Sequence, residues 1–297
     1  MASSLSPAQG SGIWWRFGAP FVFVLFWSSG FAVVKVGLHY APALLLLSMR
    51  YACVVAVLLP LQLAFRFPLP RTARQWLDLC VVGFLIQFVY FSTAFLGMKA
   101  GLSAGGIALI VSMQPILVGI ASPMLTGEKV RLKQWCGLAL GLAGAVAVIA
   151  AKSSIELASP WGVAFALCAL LGMTAGVLYE KRHSQQAHAI GANLVQCSVG
   201  LVFCLPLALL TETPHIDWTW QFSSALAYLV VCNSLISISL LLAMVRRQQA
   251  ARVSSLFFLV PPGAALMGML LLGEAMPPAA WLGMVIAAGG VWVASRG

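Results

Sequence analysis

Arg50 is the one strongly charged side chain that falls deep inside a long apolar run of this sequence. A guanidinium stays charged and presents five N–H donors in a planar fork, which suits a carboxylate or a phosphate. Within a bilayer it costs at least about 2.5 kcal/mol unless something pairs with it, and no acid occurs in its own run. The chemistry expected of Arg50 is therefore attraction of a substrate carboxylate or phosphate. Snorkelling toward the outer interface and bonds to backbone carbonyls are the alternatives. Two amides occupy similar surroundings. Gln87 and Asn233 stand 146 residues apart, with Tyr90 three residues beyond the first and Ser237 four beyond the second. Helical winding puts each pair on one face, either lining a cavity or bonding to a neighbouring helix.

Gln114-Pro115 and Pro261-Pro262 are a second matched pair of features. Proline lacks the backbone donor and clashes with the carbonyl four residues back, so each run is expected to kink there and turn polar backbone toward a cavity, or simply to kink for packing. Trp27, Ser28, Thr174 and Tyr179 are further cavity candidates, and Phe257-Phe258 would shape an apolar wall. Lys35 and Lys181 sit at run ends, where long basic side chains reach headgroups.

Other chemistries find little support. The seven acids, Asp78, Glu128, Glu156, Glu180, Glu212, Asp217 and Glu274, all fall near run ends or between runs. A proton-coupled exporter of cationic drugs commonly needs a carboxylate deep in the membrane, so that reading weakens, and Glu180 is the best placed coupling acid. The seven cysteines have neither metal-ligand nor disulfide-framework spacing, so no metal, cofactor or cross-link is expected. Gly101-Leu102-Ser103-Ala104-Gly105 matches the G-x-S-x-G nucleophile pattern, but that motif needs a strand-to-helix elbow and a histidine base. Here it opens an apolar helix, and close helix packing explains it better, so no enzyme is expected.

These residues must be positioned by membrane helices. The 297 residues are 61% hydrophobic and 8% charged, with a mean hydropathy of +0.98, against about 25% charged in soluble domains. The apolar runs number ten, at about 18–36, 43–65, 76–97, 102–125, 134–151, 160–180, 190–210, 222–245, 252–272 and 278–295. Each is close to the roughly 20 residues that a helix needs to cross about 30 Å of hydrocarbon. The net charge of +10 lies between the runs, without interleaved aromatics, so nucleic acid is not a partner. Thirteen lysines and arginines fall in the N-terminus, the even-numbered loops and the tail, and Lys35, Lys99 and Lys152 on the other side. Positive residues favour the cytoplasm, so both termini are expected there, in a plasma membrane such as a bacterial inner membrane.

The chain also matches itself at the offset of 146: Pro115 with Pro261, Gly127-Glu128 with Gly273-Glu274, Trp135 with Trp281, Gly137 with Gly283, Gly144 with Gly290 and Gly30 with Gly176. Five crossings per copy force the second to enter from the opposite side. The expected organisation is an all-α membrane protein of ten helices: an N-terminus 1–17, a first five-helix repeat 18–151, a linker 152–159 and an inverted repeat 160–297. Such inverted repeats are an architecture of alternating-access carriers.

Trp27-Ser28-Ser29-Gly30-Phe31 and the paired Pro to Gly-Glu to Trp-x-Gly segments at 115–137 and 261–283 resemble the drug/metabolite transporter superfamily, EamA type. The resemblance covers about residues 18–295. It implies a ten-helix carrier, often an exporter, of amino acids, other small metabolites or drugs. Amino-acid or related metabolite export is the favoured expectation. A sugar-phosphate or nucleotide-conjugate carrier, drug efflux, or a receptor or subunit without transport remain the alternatives. Partners are a small-molecule substrate and lipid; a monomer suffices, and homo-oligomers are compatible.

Overall fold

The structure is a computed structural model that describes residues 12, 14–102, 104–152, 159–183, 188–248, 250–272 and 277–296. Ser103, Glu156, Gly273 and Glu274 lie outside the described residues. Local signals set most helix boundaries. Pro20, Pro160 and Pro278 open helices, where the donor that proline lacks would have no partner anyway. Thr72 and Gln75 form a reciprocal capping box, and the Thr219 hydroxyl accepts from the Phe222 N–H at 3.1 Å. Arg66 ends a helix in the left-handed conformation at φ 49°, a role more often given to glycine.

Ten helices result: α1 Ala19–Gly37, α2 Ala43–Phe65, α3 Ala73–Lys99, α4 Ala104–Val111 continued by Gln114–Leu125, and α5 Leu132–Lys152. The second set is α6 Pro160–His183, α7 Ala189–Thr211, α8 Trp220–Arg247, α9 Ala250–Ser254 continued through Ser255–Leu259 to Val260–Leu272, and α10 Pro278–Arg296. Every boundary lies within three residues of the expected run. Among the described residues nine helices are long and apolar enough to span a membrane, and the apolar part of α5 is the shorter Leu132–Val148. No strand occurs among the described residues. Leu63, Trp161 and Leu210 are 70%, 73% and 83% exposed, an apolar surface suited to lipid.

The inversion is visible at one helix pair. α5 packs most extensively on α10, through glycines whose hydrogens face the other backbone. A Cβ on Gly137 would lie 2.7 Å from the Gly290 carbonyl, and one on Gly144 would lie 2.7 Å from that of Gly283. As one residue number rises its partner's falls, so the helices are antiparallel. The offset of 146 maps Gly137 onto Gly283 and Gly290 onto Gly144, so each contact is the other's repeat image. A pseudo-twofold axis therefore passes between α5 and α10.

The same exchange recurs inside. α2 packs on α7, α1 crosses to α8 and α9, and α6 crosses to α3 and α4. Phe23, Trp27, Tyr51, Tyr90 and Phe257 belong to one buried cluster that spans both repeats.

Candidate functional site

Both third helices lose α-helical winding at corresponding places. Phe84–Tyr90 in α3 and Leu229–Ile238 in α8 are π-helical, and adding 146 to the first segment places it inside the second. α4 is interrupted at 112–113, just before Gln114-Pro115, and α9 at Ser255–Leu259, just before Pro261-Pro262. π-Helical turns and prolines are recognised causes of such breaks. The interruptions surround the buried cluster.

A pocket with about 320 Å³ of non-atom space, part of it open to solvent, lies between α1, α2, α3 and α8. Arg50 and Asn233 are its strongly polar side chains, set among Trp27, Tyr90, Phe91 and Phe95. Trp27 stacks on Tyr90 with ring centroids 6.1 Å apart, and Phe257 abuts Trp27 from behind at 5.4 Å. Gly30 permits the close approach of α1 to α8, because a Cβ there would collide with the Asn233 amide nitrogen.

Arg50 is 0% exposed and does not snorkel. Its Nε donates to the Ser234 Oγ at 2.5 Å, and the Phe91 ring covers its face with the guanidinium carbon 4.3 Å from the centroid. The terminal nitrogens, Nη1 and Nη2, are buried and have no protein partner. One edge of the guanidinium is thus fixed, and the edge that would grip a carboxylate is left over.

Trp27, Arg50, Tyr90 and Asn233 are brought together here, with Phe257 against Trp27; several other candidates are elsewhere. Gln87 faces α7, where a Cβ on Gly200 would lie 2.8 Å from its own Cβ, and its amide atoms are buried without partners. Gln87 thus meets α7 while Tyr90 stacks on Trp27 of α1, and the winding between them is π-helical. Gln114 donates to the Ser254 hydroxyl at 3.2 Å. Ser237 donates to the Cys232 carbonyl at 3.0 Å, a five-residue reach that the π-helical turn allows. Ser28 lies against Gly263. The Tyr179 hydroxyl donates to Asp78 at 2.8 Å, near the end of α6. Lys181 does not reach outward: it bonds the Gln248 carbonyl at 2.6 Å and pairs with Glu128 at 3.3 Å.

The two ends of the bundle differ. On one side Lys35, His39 and Lys99 line a second, larger space of about 790 Å³, which shares Met98 with the Arg50 pocket. On the other side α6 is tied down. Arg246 pairs with Glu180 at 2.5 Å, with both side chains buried, and Gln196 donates to the same carboxylate at 3.4 Å. Glu128 joins Lys181 and also accepts from the Ala250 N–H at 2.9 Å.

Sequence reasoning missed Ser234, Phe91 and the Glu180–Arg246 pair. The need of a buried arginine for a partner pointed to a polar residue on another helix, and α8 offers a run of them from Asn233 to Ser239.

Ten membrane helices in an inverted duplication, with a pocket where the copies meet, define a multi-pass membrane transporter. The chain belongs to the EamA-like transporter family, whose sequence profile matches residues 13–150 and again 160–296. It is 25% identical to the inner membrane transporter YedA of Escherichia coli over 269 residues, covering 90% of this chain and 86% of that one. It is 26% identical to a probable amino-acid metabolite efflux pump of Salmonella typhimurium, covering 91% of each. An S-adenosylmethionine/S-adenosylhomocysteine transporter of Chlamydia trachomatis is 27% identical over 87% of this chain and 82% of its own. A solved crystal structure superposes with a TM-score of 0.79 at 19% identity, covering 94% of this chain and 96% of that one, which supports the fold.

Proposed function

We propose that this transporter exports amino acids or related carboxylate metabolites by alternating access, with Arg50 as the carboxylate anchor. The observation that carries the reading is the buried guanidinium whose Nη1 and Nη2 lack protein partners in a pocket wall. A charge so placed is destabilising until an anion arrives, and a carboxylate can accept both N–H groups at once. The name of the Salmonella relative agrees with this substrate class.

With the basic loops in the cytoplasm, the pocket opens to the outer face of the plasma membrane, and the Glu180 and Glu128 ties close the inner face. Cargo loaded from inside requires those ties to part; the repeats 18–151 and 160–297 then rock about the fixed site. Purified protein in liposomes loaded with unlabelled amino acids should take up the labelled counterpart by counterflow. Arg50→Gln should weaken substrate affinity about 10- to 100-fold, the size of a lost hydrogen-bond pair to a charged group. Counterflow of neutral or cationic solutes alone, or full affinity in the variant, would refute this reading.

A further inference from the structure

The pocket that would hold the carboxylate offers nothing of matching strength for an ammonium group. Free α-amino acids carry both charges, so a site for them needs an acid or several bare carbonyls beside the cation. Among the described residues no acid lines the pocket, and the acids that the structure describes are engaged elsewhere. Asp78 takes Tyr179 and Arg74; Glu128 takes Lys181 and the Ala250 N–H; Glu180 takes Arg246 and Gln196. Glu212 accepts from the Leu44 and Leu45 N–H groups at 3.0 Å each and pairs with Lys99, and Asp217 joins His215.

Interrupted helices often supply carbonyls instead, freed where the winding changes. Here the chain's own side chains occupy several of them. The Phe26 carbonyl accepts from the Asn233 amide at 3.3 Å, Gln87 from the Tyr51 hydroxyl at 2.5 Å, Val89 from Thr93 at 2.6 Å, Cys232 from Ser237 at 3.0 Å and Ser234 from Asn193 at 2.8 Å. The Phe88 carbonyl is likewise held by Ser92. What remains is one cation in an aromatic and aliphatic wall.

We infer that the site takes monocarboxylates with an apolar or aromatic body, and that it prefers those without an α-ammonium group, such as aromatic 2-oxo acids, to the parent amino acids. The inference rests on the carboxylate reading above. An ammonium group buried in this wall would lose its water for no charged partner, whereas the oxo acid keeps the carboxylate and leaves nothing unpaired. A dicarboxylate would meet a single guanidinium, and an amine would meet a like charge.

Direct binding of labelled ligands to the purified full-length protein tests this without interference from membrane leak. Phenylpyruvate, L-phenylalanine and 2-phenylethylamine share a ring and differ in charge. Phenylpyruvate should bind at least about tenfold more tightly than L-phenylalanine, and the amine should not bind. Arg50→Gln should weaken phenylpyruvate binding by about 10- to 100-fold, and Arg50→Lys, which keeps the charge but loses the fork, should weaken it less. L-Phenylalanine binding as tightly as phenylpyruvate, in an Arg50-dependent way, overturns the inference and leaves the amino-acid reading standing. Absence of binding by either carboxylate overturns both.

Discussion

Ser234 decides how Arg50 presents itself. Its hydroxyl holds Nε at 2.5 Å while Phe91 lies over the guanidinium face, which fixes the guanidinium in one orientation with its two remaining nitrogens unpartnered. Removing that hydroxyl should release the orientation and leave a third N–H unsatisfied. Ser234→Ala is therefore expected to weaken carboxylate binding about tenfold, read as a change in Kd with the fold retained. Retention of wild-type affinity would show that Ser234 does not position Arg50. That Arg50 needed a partner was legible in the sequence, because an arginine in an apolar run is costly. The partner's identity was not, because residues 50 and 234 are separated by 184 positions and meet only through the packing of α2 on α8. Gln87 shows the converse: its spacing to Tyr90 suggested a shared face, and within the π-helical segment it meets α7 instead.

Helix existence and length followed from the apolar runs, since a bilayer fixes both. The prolines also marked the breaks in α4 and α9. The π-helical segments of α3 and α8 left no such mark, because neither carries a proline or another breaker that distinguishes it from the rest of its apolar run. At the same scale, α6 is held to α8 by the buried Glu180–Arg246 pair. Breaking one partner of a buried pair costs about 3–5 kcal/mol, and Gln at position 180 keeps the shape while losing the charge. Glu180→Gln should lower the thermal midpoint and raise reagent access to cysteines placed at the α6 and α8 ends. The exchanged double variant, Glu180→Arg with Arg246→Glu, should restore much of both. Unchanged midpoint and access in Glu180→Gln would mean that the pair does not hold this end shut.

Duplication at a constant offset, together with five crossings per copy, made the whole-molecule architecture readable from residues alone. The antiparallel glycine contacts of α5 and α10 are its physical expression. The asymmetry laid over that symmetry was not readable: Arg50 and Gln196 are repeat images, yet one lines the pocket and the other bonds to Glu180. One copy thus supplies an arginine to the pocket, and the other ties down the far end. Alternating access requires a single site served by two ends that open in turn. Spin labels on cysteines at His39 and Lys99 report one end, and labels at Lys129 and Arg182 report the other, in a background without native cysteines. Adding a carboxylate that supports counterflow should lengthen the 129–182 distance in part of the population while the 39–99 distance shortens. Distances that stay fixed at both ends, or widen at both together, would contradict it.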